Sequence, residues 1–301
     1  MGLCEGRTVI VTGAARGLGR AYALAFAAEG ANVVVNDIGA SLAGEGRDTS
    51  AADAVVAEIN GAGSGRAIAN YEDITDWDAA KRIVDAAVAA FGDLHVVVNN
   101  AGIVRDRMFV SATPEEWDAT MHVHLRGHFC VSRHAVDYWR ASQKAGHPVD
   151  ARIINTTSGA GLQGSIAQAA YSTAKGGIAA LTLVQAAELA RYGITANALA
   201  PAARTRMTEG AFADKMAAVE SGFDAQDPDN IAPTVVWLGS EQSKHVTGCV
   251  FELEGGRITI EDGWKLGPTV DQQQKWAPAD VGDAVDKLLA VRSEPRKVWG
   301  S

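Results

Sequence analysis

Cysteine is scarce in this sequence: Cys4, Cys130 and Cys249 are the only three among 301 residues, and no two form a CxxC pair. That excludes a disulfide framework and a cysteine-based zinc site, and the thiols read as reduced. Histidine does not supply a metal centre either. His122, His124, His128 and His134 recur at helical spacing, but there is no HExxH, and no carboxylates or thiols gather near them, so no metal is expected. Positive charge is in deficit, 27 Lys and Arg against 36 Asp and Glu for a net charge of −9, which argues against a nucleic-acid surface. No uninterrupted apolar run reaches the roughly 20 residues of a membrane span, so no membrane partner is expected. The first residues lack the charged-then-apolar order of a signal peptide, and Gly6 stands where myristoylation wants Ser or Thr. The scarce thiols and the acidic balance are consistent with a soluble, cytoplasmic metabolic protein.

What is present is apolar material, 47% of the residues, in a regular alternation. Short β-branched runs at 7–12, 32–36, 66–70, 94–99, 151–157, 194–199 and 249–253 read as strands. Ala-rich stretches at 18–29, 51–60, 77–91, 169–192 and a long one from Pro114 to about 141 read as helices. The strands are apolar throughout and do not alternate, as suits a parallel sheet covered on both faces. The β-α order predicts a Rossmann-type doubly wound α/β sheet. Residues 1–256 read as one domain. Residues 257–301 read as a C-terminal extension, with a short strand pair at 257–265 and a helix at 278–291. Trp264, Trp276 and Trp299 in that extension suggest packing on the same domain or on a partner subunit.

Two local patterns carry chemistry. Thr12-Gly13-Ala14-Ala15-Arg16-Gly17-Leu18-Gly19 lies between the first strand and the first helix. Glycines let the backbone turn tightly and approach a pyrophosphate, while amide N–H groups and the helix N-terminus supply positive field. Asp37 ends the second strand, where an acid would bond adenosine ribose hydroxyls and repel a 2′-phosphate. NAD is therefore favoured over NADP. Arg16 is the opposing signal, and Asp37 is expected to neutralise it. The second pattern is Ser158 followed by Tyr171 and Lys175. Tyr and Lys four apart share one helix face. An ammonium beside a phenol is expected to lower the tyrosine pKa from ~10 toward neutrality, a change of roughly 4 kcal/mol. Such a tyrosine could exchange a proton with an alcohol.

Together with Asn99-Asn100-Ala101-Gly102 and Asn197-Ala198-Leu199-Ala200-Pro201, these patterns resemble the short-chain dehydrogenase/reductase family over about residues 5–256. The stretches 19–26, 33–39, 99–108 and 123–127 are similar to its (3R)-hydroxyacyl-CoA dehydrogenase subgroup, typified by a unit of multifunctional enzyme type 2 that is also called a 17β-hydroxysteroid dehydrogenase. The resemblance implies NAD-dependent oxidation of a secondary alcohol, either a (3R)-3-hydroxyacyl-CoA or a 17β-hydroxysteroid, in lipid or sterol catabolism. Two alternatives are a 3-oxoacyl reductase running the opposite way and a non-catalytic NAD-binding regulator. It further implies a homodimer or homotetramer. It assigns catalysis to Ser158, Tyr171 and Lys175, with His124 standing where the family usually has Asn. Cofactor contacts are implied for Gly13, Arg16, Gly17, Leu18, Gly19, Asp37, Asp73, Ile74, Asn99, Ala101, Gly102, Tyr171, Lys175, Pro201 and Ala202. Ile103, Val104, Met108, Phe109, Leu162 and Phe212 are candidate substrate-pocket lining. Arg105, Arg107 and Arg126 are candidates near its mouth, read as solvated surface in preference to phosphate ligands.

Overall fold

The computed structural model describes residues 2–41, 44–209, 216, 217, 219 and 221–301; Phe212 lies outside them. Among the described residues, eight strands form one sheet: β1 (Thr8–Thr12), β2 (Asn32–Asn36), β3 (Arg66–Asn70), β4 (Val96–Asn99), β5 (Ala151–Thr156), β6 (Ile194–Ala202), β7 (Val250–Glu254) and β8 (Arg257–Glu261). Their order is β3-β2-β1-β4-β5-β6-β7-β8. β1 to β7 are parallel, and β8 folds back antiparallel on β7. This is the doubly wound Rossmann-type α/β sheet that the β-α alternation predicts. The chain steps outward from β1 to β3 and then returns to lay β4 on the other side of β1. That reversal opens a crevice beyond the strand ends, where ligands bind in such sheets.

The apolar strands are explained by two cores. Val9 and Val11 of β1 pack with Tyr22 and Phe26 of helix Gly17–Ala28 and with Val235 and Leu238 of helix Ala232–Gly239. Ile10, one residue out of phase, joins Ile83 of helix Trp77–Phe91 and Trp139 of helix Gly127–Lys144 on the opposite face. Successive residues of a strand point to opposite faces, so both parities must be apolar. Each such side chain contributes about 1.5–3 kcal/mol when fully buried.

Three departures from the sequence reading matter. The long helix from Pro114 is interrupted: Pro114–Met121 leads into a π turn at His122–Arg126 before Gly127–Lys144. Its start is fixed by a capping box, in which Thr113 accepts from Glu116 N and Glu116 accepts from Thr113 N. Helix Ala232–Gly239 is not anticipated, because its Thr-Val-Val-Trp run looks like a strand. Its burial against the first core, with Pro233 in the first turn, overrides that preference. Finally, 257–265 does not form a strand pair of its own; β8 pairs with β7, so the 256/257 boundary falls in a hairpin turn within one sheet. The C-terminal helix is Val281–Val291, and its Val281, Val285 and Leu289 remain more than 40% exposed. Trp299 docks on the body through Ile166 N to Trp299 O (2.9 Å), whereas Trp264 is fully exposed. No helix among the described residues is long and apolar enough to cross a membrane.

Candidate active site

The turn after β1 and the turn after β4 are joined through one hydroxyl. Thr12 Oγ1 accepts from Asn100 N (3.0 Å) and Ala101 N (3.1 Å). The Asn100 amide returns two bonds, to Thr12 O (3.0 Å) and Gly13 O (3.2 Å). Gly13 has φ +65°, and a Cβ there would lie 2.8 Å from Ala101 Cα. A Cβ at Gly19 would lie 2.1 Å from Gly13 O, so the helix start can approach the turn only as glycine. Asp37, at the end of β2, accepts from Ala15 N (3.0 Å) and Gly39 N (2.8 Å). One carboxylate thus stiffens the glycine-rich turn, while each of its oxygens keeps a lone pair for a ligand. The expected Arg16–Asp37 neutralisation does not form. Arg16 instead pairs with Asp48 at 3.3 Å, in the loop that follows β2.

A cavity of about 390 Å³ opens at this crevice. Its wall brings together Gly13, Arg16, Gly17, Leu18, Gly19, Asp37, Asp73, Ile74, Ala101 and Gly102, with Asn100 and Thr205 as wall residues the sequence did not single out. Asn100 was legible as part of the Asn-Asn-Ala-Gly run; Thr205 had no such signal. Open N–H donors at a helix start, an acid at the end of β2 and an apolar flank at Ile74 fit a dinucleotide. Other expected contacts lie elsewhere. Asn99 is buried, and its amide donates to Ser132 Oγ (2.8 Å) and Asn155 Oδ1 (2.9 Å), because period-2 alternation turns it away from Asn100. Pro201 and Ala202, half-buried at the end of β6, are not on this wall, nor are Tyr171 and Lys175.

Ser158, Tyr171, Lys175 and His124 do converge. Ser158 follows β5 and caps helix Gly159–Gln163, accepting from Ala160 N (3.2 Å), and its hydroxyl is near enough to Tyr171 to favour the phenolate. Tyr171 stands in the first turn of helix Ala169–Leu189, with Lys175 one turn on. The Lys175 ammonium lies 5.6 Å from the Tyr171 ring centre and donates to Thr156 O (2.7 Å). The expected fall in the tyrosine pKa does not occur. Burial pushes the Tyr171 phenol up to about 12, opposed by the nearby Ser158 hydroxyl and reinforced by the Asp106 charge. Burial also brings Lys175 down to about 7. Desolvation disfavours the charged form of each and is the largest cause of both shifts.

His124 sits in the π turn, fully buried, its ring edge-on to Tyr171 with centroids 5.2 Å apart. Its Nε2 lies 2.7 Å from Ile103 O and 3.2 Å from Ile103 N. The short carbonyl contact assigns the ring proton to Nε2. That leaves Nδ1 as an acceptor with no partner among the described residues. Burial, aided by Lys175, lowers its pKa to about 3, so the ring is neutral. A Cβ at Gly102 would lie 2.4 Å from this ring, so glycine is required there. Of the candidate substrate lining, Ile103 is buried, whereas Met108 and Phe109 are exposed. Arg107 pairs with Glu116 (2.7 Å) and Arg126 donates to Thr75 O (2.9 Å), so both cations are already engaged.

The short chain dehydrogenase family profile matches residues 7–216. The chain is 44% identical to peroxisomal multifunctional enzyme type 2 of Mus musculus over 99% of its own length, but it spans only 39% of that protein. It is 43% identical to hydroxyacyl-CoA dehydrogenase ChsB1 of Mycobacterium tuberculosis, covering 85% of this chain and 80% of that one. A crystal structure of a short chain dehydrogenase from Mycobacterium avium is 54% identical and superposes with a TM-score of 0.89 over the whole of both chains.

Proposed function

Because this chain belongs to the short-chain dehydrogenase family and so acts on CH–OH groups, we propose that it oxidises the 3-hydroxyl of a (3R)-3-hydroxyacyl-CoA to a ketone with NAD. The observation that carries this is the convergence of Ser158, Tyr171 and Lys175 beside the crevice at the β1/β4 reversal. The substrate class rests on the similarity to a hydroxyacyl-CoA dehydrogenase. The choice of NAD rests on Asp37, whose carboxylate on the cavity wall would repel a 2′-phosphate.

The chain's residues divide the work. Gly13, Gly17 and Gly19 with the helix start would cradle the pyrophosphate, Asp37 the ribose, and Asp73 and Ile74 the adenine edge. NAD, when bound, supplies the hydride acceptor. Ser158 would hold the substrate oxygen through its hydroxyl. Tyr171, close to the same hydroxyl, would take the alcohol proton at its phenolic oxygen. Lys175, held by Thr156 O, would favour the phenolate whenever it carries its own proton. His124 would fix the loop at Ile103 and offer Nδ1 to a proton donor. The half-exposed Val281, Val285 and Leu289 support assembly with a second copy of the chain.

The test is NADH formation followed by absorbance across a panel of (3R)- and (3S)-3-hydroxyacyl-CoA thioesters and estradiol, each with NAD and NADP. Turnover of the (3R) thioesters with NAD is expected. Activity confined to estradiol would replace the substrate, and no turnover of any alcohol would remove the reading.

A further inference from the structure

The segment 103–107, between β4 and helix Pro114–Met121, touches the surroundings of Tyr171 at two separate points. At its start, Ile103 O accepts from His124 Nε2 and so holds the ring, which meets Tyr171 edge-on. At its end, Asp106 receives the Gln168 amide on both carboxylate oxygens, each at 3.0 Å. Gln168 is the residue immediately before helix Ala169–Leu189, three positions ahead of Tyr171. The backbone adds a further tie: Arg107 N donates to Ala167 O at 2.7 Å, within a parallel bridge between Arg107 and Gln168.

The joint is strained. Ala167 has φ +63°, and among the described residues only Gln273 shares that left-handed conformation without being glycine. A side chain there costs of order 1 kcal/mol and persists only where neighbours over-determine the backbone. Ala167 has such neighbours: Arg107 on one flank, and the bond from Ile166 N to Trp299 O (2.9 Å) on the other. Arg107 is itself anchored to Glu116 of the capping box at 2.7 Å.

We infer that segment 103–107 is a two-point clamp on Tyr171, and that Asp106, acting through Gln168, is a positioning residue that holds the phenol in place and tunes how readily it releases its proton. The groups facing Tyr171 are Lys175 from its own helix, His124 from the π turn, Ser158 from the end of β5 and Asp106 from the clamp. His124 is neutral, so Asp106 is the one carboxylate of this set and opposes phenolate formation. Asp106 is itself exposed; partial desolvation raises its pKa, and the Gln168 bonds oppose that rise.

This inference rests on the alcohol oxidation proposed above, and the test separates the two. The pH dependence of kcat/KM for (3R)-3-hydroxyacyl-CoA oxidation is compared for wild type, Asp106→Asn, Asp106→Glu and Gln168→Ala. Asp106→Asn keeps an acceptor for Gln168 but removes the charge. Its acid limb should move to lower pH by about half a unit or more, with KM for NAD unchanged. Asp106→Glu restores the charge and should return the limb toward wild type. Gln168→Ala breaks the clamp and keeps the charge, so kcat should fall about tenfold or more without that downward shift. If wild type oxidises no alcohol, the proposed function fails, and the clamp is tested by ultraviolet phenolate titration of wild type and Asp106→Asn, each against the same protein carrying Tyr171→Phe. The Asp106→Asn phenol should titrate lower. Coincident acid limbs, or coincident phenolate curves, would overturn the inference whatever the activity of the variants.

Discussion

Replacing Thr12 by Val changes one hydroxyl for a methyl group of nearly the same size at a buried position. Packing is therefore conserved, and the effect isolates hydrogen bonding. Thr12 Oγ1 is the shared acceptor for Asn100 N and Ala101 N, at 3.0 and 3.1 Å. A backbone N–H left without a partner away from water costs about 1–3 kcal/mol. Both sites are only part-buried, so the lower part of that range applies to each. The loss should be about 2 kcal/mol, a sizeable share of the 5–15 kcal/mol typical of a domain. Urea denaturation should show a lower midpoint with an unchanged m-value. Because the same hydroxyl joins the two turns that line the cavity, NAD affinity should fall as well. A stability change below about 0.5 kcal/mol, with NAD binding unaltered, would refute the view that Thr12 couples the turns.

Gly102→Ala places a methyl group 2.4 Å from the His124 ring and should displace it from Ile103; kcat is expected to fall at least tenfold, with the lost imidazole contact visible as a shifted His124 resonance by NMR. Lys175 has a folded pKa near 7 against 10.5 for the free group, so the folded state binds fewer protons than the unfolded state between those values. Unfolding free energy should therefore rise with pH across that window. Lys175→Met, measured by denaturation at several pH values, should flatten the rise. Asp37→Ser removes the carboxylate beside the ribose position and should lower the NAD-to-NADP ratio of kcat/KM by about tenfold or more; an unchanged ratio would take cofactor choice away from Asp37.

Much of the fold is legible because its signals are local. The run Asn32–Asn36 has the observed bounds, since a strand buried on both faces must be apolar at consecutive positions, and the partly exposed edge strand Arg66–Asn70 also keeps the bounds read for it. The glycine-rich turn is equally local: sterics demand glycine at Gly13 and Gly19. What escapes depends on tertiary contact. Helix Ala232–Gly239 carries strand-like residues and is helical because it covers the first core of the sheet. The π turn at His122–Arg126 adds a residue without altering the apolar pattern. Asn99 and Asn100 look interchangeable in sequence, yet strand alternation sends one into the interior and leaves the other on the cavity wall. The acidity of Tyr171 is the clearest case. Spacing brings an ammonium one turn away, but only burial, which spacing does not encode, determines that desolvation prevails.

Tyr171→Phe removes a single oxygen and keeps the ring against His124 and Lys175. NAD affinity by fluorescence titration and steady-state turnover of a (3R)-3-hydroxyacyl-CoA, measured on the same preparation, test most directly whether the phenol carries the proton. Near-normal NAD affinity with turnover reduced by about 10³-fold or more is the expected result. Turnover within a few-fold of wild type would contradict it.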